Sequence, residues 1–172
     1  MKTCNLGKKI IMSVVLGILI LGCYVMMFRF SADNAGDSSA ISSKITKVLM
    51  KIYDYFFASG PVDPNAPPTG FNMLEYLEKI VRKVAHFTEF FLLGSLSISL
   101  FSLWMNSGKK CMLIVFFQLV ISAAFDEIHQ FFVPGRYASV SDVILDTIGG
   151  MTGVICLYFW INRKRKVKKN ER

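Results

Sequence analysis

Four stretches of the chain are apolar enough to cross a bilayer, and polar or basic segments separate them. The first covers about residues 10–28. The others cover about 84–104, 111–130 and 142–161. A hydrophobic stretch of about 20 residues in a helix matches the roughly 30 Å hydrocarbon core of a membrane. The pattern predicts an all-α, polytopic membrane protein with four transmembrane helices. Three regions follow from it: an N-tail over 1–9, a membrane domain over 10–161 and a basic C-tail over 162–172. The first span has a cleavable leader as its alternative reading. Gly22-Cys23 gives a faint lipoprotein-like box, but Leu21 fits it poorly and the apolar run continues past the cysteine.

The connector over 29–83 has its own pattern. After a small, polar loop, Ile41, Ile45, Val48, Leu49, Ile52 and Phe56 recur at helical spacing, with Lys44, Lys47 and Lys51 on another face. This predicts an amphipathic interfacial helix between the first and second spans. It would either lie on anionic headgroups or pack on the spans. Residues 60–70 hold all but one of the five prolines and predict a stiff loop.

Charge sets the orientation. The N-tail carries three basic residues, the 105–110 turn two and the C-tail seven, with Glu171 the one acid among them. The positive-inside rule therefore places both termini in the cytoplasm of a plasma-membrane protein, with 29–83 and 131–141 facing outward. The net charge of +8 is spent beside apolar runs, and no nucleic-acid-reading motif accompanies it, so nucleic acid is not expected as a partner. The lipid bilayer is. The cysteines, Cys4, Cys23, Cys111 and Cys156, lie in the N-tail or in and beside apolar runs, so no disulfide framework is expected.

Against this background, residues 125–146, FDEIHQFFVPGRYASVSDVILD, are unusually polar. Asp126, His129 and Gln130 share a helix face near the outer end of the third span, beside Glu127. Asp142 and Asp146 are i, i+4 at the outer start of the fourth. His86 and Glu89 are i, i+3 near the outer start of the second, after Lys83. At 1.5 Å per residue, Glu89, Asp126 and Asp146 each lie roughly 6–8 Å inside their span ends. Charged groups at such depth are costly unless they pair or face a wet cavity, so their convergence from three helices predicts a pocket.

Several chemistries suit this set. His86, Glu89, Asp126, Glu127 and His129 are the candidates for acid–base work. Carboxylates with imidazoles also suit a divalent metal, although the spacing matches no strict metal signature. Arg136, after Pro134-Gly135, can grip an anion through its planar fork. Lys83, Gln130, Asp142 and Asp146 complete the candidate ligand-binding group. A purely structural network, in which Arg136 pairs with Asp126 or Asp142, is the competing reading. Ser141, directly before Asp142, is the expected N-cap of the fourth helix. Gly149 and Gly153 form a small-xxx-small pair suited to close helix contact.

Three segments together resemble the VanZ-like membrane proteins: Lys83 to Phe90 (KVAHFTEF), Asp126 to Arg136 (DEIHQFFVPGR) and Ser141 to Gly150 (SDVILDTIGG). Phe30-Ser31 and Gly36 echo the segment after that family's first span. Phe90 stands where tyrosine is expected, and Ser-Ala-Asp follows Phe30 where Ser-Ser-Gln is common. The resemblance implies a bacterial cell-envelope membrane protein, in a family whose name-giving member is associated with teicoplanin resistance. With the outer-face pocket, the leading expectation is that Arg136 holds an anionic envelope lipid or wall precursor and that the protein contributes to such resistance. A metal-dependent hydrolase or transferase acting on lipid headgroups stays open beside it, as does a structural bundle or small transporter. The resemblance does not choose between enzyme and non-enzyme.

Overall fold

The structure is a computed structural model of the chain and describes residues 2–32, 44, 45, 47–49, 51, 73–105, 107–134, 136 and 138–170. Its long elements are α1 (Lys2–Ala32), α2 (Met73–Trp104), α3 (Gly108–Phe131) and α4 (Val140–Asn170). Each contains a stretch long and apolar enough to cross a membrane: Leu6–Ala32, Lys79–Trp104, Gly108–Phe131 and Val140–Ile161. The all-helical, four-span expectation holds, with helices running past the predicted spans at most ends. The shortest, α3, has 24 residues and extends about 36 Å, enough for the hydrocarbon core. The amphipathic helix expected over 41–57 lies mostly outside the described residues. Those described, 44, 45, 47–49 and 51, are helical, and Ile45, Val48 and Leu49 are exposed.

The outside of the bundle is apolar. Phe117, Ile121, Phe125 and Ile128 of α3 and Ile144, Ile148 and Phe159 of α4 all stand exposed. With lipid as the surrounding solvent, these side chains meet a medium as apolar as themselves. Helix association must then come from close packing and hydrogen bonds.

Close packing is achieved mainly between α2 and α4, the most extensive helix pair. A Cβ on Gly94 would collide with the Gly150 carbonyl, and one on Gly153 with the Phe91 carbonyl. A Cβ on Gly149 would lie 2.8 Å from the Phe87 carbonyl oxygen. The expected Gly149–Gly153 pair is thus one side of a close backbone contact whose other side is centred on Gly94. Buried Phe90, Leu93, Ile98, Cys111, Val115, Leu119, Ala123 and Val154 fill the remaining core between α2, α3 and α4. α1 packs against α2 and α3 and adds Met27 to this core.

Hydrogen bonds at mid-depth tie α1 to the others. Gln118 donates to the Tyr24 hydroxyl at 3.2 Å and to Ser97 Oγ at 3.0 Å, and Tyr24 bonds Ser122 Oγ at 2.7 Å. Ser95, Ser99 and Ser102 donate back to carbonyls within α2. Gln118, Ser122, Asp126 and Gln130 recur every four residues, so α3 carries one polar stripe towards α1. Beside it runs a second buried stripe, Cys111, Val115, Leu119, Ala123 and Glu127, which is apolar until its last member.

The α3–α4 turn ends this bundle. Phe132 and Val133 donate to the His129 and Gln130 carbonyls, closing α3, and Pro134 cannot extend the ladder. The cap of α4 differs from expectation. Ser139, not Ser141, precedes the first turn, and its carbonyl accepts Asp142 N–H at 3.0 Å and Val143 N–H at 3.3 Å. Ser141 lies inside that turn and shares a 2.6 Å hydrogen bond with the Ser139 hydroxyl. The helix starts two residues early because the Glu127 carboxylate accepts the Ser139 backbone N–H at 2.7 Å, a cap supplied by a distant residue.

Candidate functional site

At the end of the bundle marked by the α3–α4 turn, α2, α3 and α4 enclose a cavity of about 210 Å³. It is lined by Lys79, Arg82, Lys83, His86, Glu127, Gln130, Asp142, Leu145 and Asp146. Pockets for drug-sized ligands run from about 300 Å³ upward, so this one suits a phosphate-sized headgroup rather than a whole small molecule. Helical spacing places Lys79, Arg82, Lys83 and His86 on one face of α2, at i, i+3, i+4 and i+7. The cavity therefore carries three cations from a single helix and carboxylates from the two facing it.

The basic side is partly engaged. Lys83 Nζ pairs with Asp142 Oδ1 at 2.8 Å, with side chains 53% and 33% exposed, a geometry of little worth to stability. Arg82 is half-buried, and its Nε has no hydrogen-bond partner among the described residues.

The acidic side is deeper. Asp126 is fully buried directly beside the cavity wall. One of its oxygens accepts Ser31 Oγ–H at 2.5 Å, and the other accepts Gln130 Nε2–H at 2.7 Å. Gln130 also reaches Ser31 Oγ at 3.4 Å. The second Asp126 oxygen lies 3.7 Å from His86 Nδ1, across from α2. Asp146 on α4 is 1% exposed, and neither of its carboxylate oxygens has a hydrogen-bond partner among the described residues. Glu89, one turn deeper than His86 on α2, also has a buried oxygen, Oε2, without a partner.

The sequence-predicted residues thus separate into three groups. Lys83, His86, Glu127, Gln130, Asp142 and Asp146 line the cavity, with Asp126 behind them. Glu89 is buried near the same place but does not line it. His129 and Arg136 are directed to α1. The His129 ring stands edge-on to Phe28 with centroids 5.5 Å apart, and buried Arg136 donates from Nη2 to the Phe30 carbonyl at 3.0 Å. His129 is three residues from Asp126, yet the imidazole brought to Asp126 across the bundle is that of His86. On α3 the polar stripe that Asp126 belongs to is continued by Gln130, which turns the intervening His129 side chain elsewhere.

Three contributors were not singled out from sequence. Lys79 and Arg82 lie before the second span expected over about 84–104, but α2 is continuous from Met73, so their spacing to His86 is a face of the same helix. Ser31, at the end of α1, is fully buried and supplies Asp126 with a donor from 95 residues away. The sequence pointed to it only through the Phe30-Ser31 pair after the first span, with no role in the site.

A family model described as VanZ/LLP1 matches residues 14–161, nearly the whole of the four-helix region. No curated protein and no solved structure matches the chain.

Proposed function

The chain belongs to the VanZ/LLP1 family, and from that premise and the cavity we propose that it binds an anionic headgroup of an envelope lipid or wall precursor. It is a multi-pass, VanZ-like membrane protein with four apolar helices. The observation carrying the headgroup reading is the row of Lys79, Arg82 and Lys83 along one wall of a headgroup-sized cavity. Arg82 supplies a planar, partly desolvated guanidinium suited to phosphate oxygens, and Lys79 and Lys83 add flexible point charges. The apolar helix surfaces beside the cavity leave acyl chains in the bilayer while the headgroup enters.

The basic tails orient the cavity outward, with both termini in the cytoplasm of the plasma membrane. Ala138 is exposed in the α3–α4 turn. In a variant carrying Ala138→Cys and serine at the native cysteines, a membrane-impermeant thiol reagent labels intact cells at that position. Labelling only after the cells are opened overturns this orientation.

Headgroup binding on the outer face further supports a contribution to glycopeptide resistance, because precursors of the wall are presented there. Expression in a teicoplanin-susceptible bacterium is expected to raise the concentration of teicoplanin needed to stop growth. An unchanged concentration, with the protein abundant in the membrane, removes resistance from the proposal while leaving headgroup binding to be measured directly.

A further inference from the structure

We propose that His86, Asp126 and Asp146 form a binding site for one first-row divalent cation, such as Zn²⁺ or Mn²⁺, at the floor of the cavity. Each residue comes from a different helix, α2, α3 and α4. Each offers one ligand atom, and these atoms all lie within 4.8 Å of one another. Bonds of about 2.0–2.2 Å from nitrogen and oxygen to such a cation fit within that spacing after small side-chain adjustments.

A cluster of acids alone would not point to a cation. The decisive feature is Asp146, which is 1% exposed and has no hydrogen-bond partner on either oxygen among the described residues. His86 Nδ1 is likewise buried and without a hydrogen-bond partner, facing Asp126 Oδ2 at 3.7 Å. Leaving a buried carboxylate unsatisfied is costly, and nearby Asp126 adds like charge. A divalent cation satisfies Asp146, His86 and the second Asp126 oxygen at once. Ser31 and Gln130 would then act as supporting donors that hold the Asp126 carboxylate in place.

The donor set narrows the cation. One imidazole and two carboxylates suit Zn²⁺, Mn²⁺ or Fe²⁺ better than soft, thiolate-seeking ions or the all-oxygen preference of Ca²⁺. Three protein ligands beside an open cavity leave coordination positions free. The cation also reconciles the two walls. A phosphate attracted by Lys79, Arg82 and Lys83 would otherwise meet the carboxylates opposite, whereas a cation between them offers it a further positive partner. That bridging role rests on the headgroup reading above; the cation site itself does not.

The test uses the full chain without a histidine tag, purified in detergent, stripped with a chelator and titrated calorimetrically with Zn²⁺ and Mn²⁺ in the absence of added lipid. One cation per chain is expected to bind. Asp146→Asn and, separately, His86→Gln are expected to weaken binding by roughly a hundredfold or more, at or beyond the upper end reached when only supporting contacts are lost. Circular dichroism and gel filtration select variants that retain the helical, monodisperse state. Lipid carried by the stripped wild type is measured in parallel. No uptake of either cation by the wild type, or wild-type affinity in both folded variants, overturns the cation site. Retained anionic lipid in that same stripped sample shows that the headgroup reading survives such a failure.

Discussion

Replacing Asp126 with alanine is expected to lower the stability of the chelator-treated protein by about 2–6 kcal/mol, because it takes the acceptor from two buried donors at about 1–3 kcal/mol each. Asp126 is fully buried and accepts from Ser31 on α1 and Gln130 on its own helix. Removing the carboxylate strands both and weakens the attachment of α1 at this end of the bundle. The conservative Asp126→Asn behaves differently. Its side-chain oxygen still accepts from Ser31, and the Gln130 amide can turn to present its own oxygen to the new NH₂ group. Most of the loss should therefore be recovered in Asn. Unfolding in detergent, followed by circular dichroism, checks both. An alanine variant as stable as wild type would show that the Ser31–Asp126–Gln130 bonds do not hold the bundle.

The second large effect is on binding. Arg82→Gln is expected to weaken binding of a phosphate-bearing anionic lipid by roughly ten- to a hundredfold, the loss of a hydrogen bond to a charged group of about 1.5–3 kcal/mol. Arg82 is half-buried in the cavity wall, and its Nε has no hydrogen-bond partner among the described residues, so stability should change little. Lys83 provides the contrast. Its side chain is 53% exposed and its ammonium is already paired with Asp142, so Lys83→Gln should cost less affinity than Arg82→Gln. Titration of detergent-solubilised protein with a fluorescent phosphatidylglycerol analogue measures both variants. Equal affinity in Arg82→Gln and wild type would remove the basic wall from the site.

The legibility of this protein from its sequence differs between its layers. The four helices were readable because lipid demands long apolar runs, a signal that survives without any tertiary information. The α2–α4 contact was half readable: Gly149 and Gly153 gave one side, but Gly94 on α2 has no glycine at that spacing to announce it. From sequence the convergence rested on Glu89, Asp126 and Asp146 at one depth, whereas Asp146 and His86 line the cavity, Asp126 lies behind it and Glu89 does not line it. Which neighbouring polar side chain faces the cavity was not readable. A turn of helix separates Gln130 from Asp126 on one face while sending His129 towards Phe28, and the side chosen by α3 is decided by packing against α1 and α4. Arg136 shows the same limit. Its position after Pro134-Gly135 suggested reach towards a ligand, whereas the fold directs one guanidinium nitrogen onto the Phe30 carbonyl. Glu127 was read as a site acid and also serves as the cap of α4, a role visible only once Ser139 lies beside it.

In the proposed function, the cavity walled by Lys79, Arg82 and Lys83 holds an anionic headgroup. The most direct measurement is native mass spectrometry of the full chain released from its membrane in mild detergent, with the bound lipid identified. The expected spectrum shows about one retained anionic, phosphate-bearing lipid per chain, as the headgroup size of this cavity allows. Release without lipid, or retention of zwitterionic and anionic lipids in proportion to their abundance in the membrane, would contradict it.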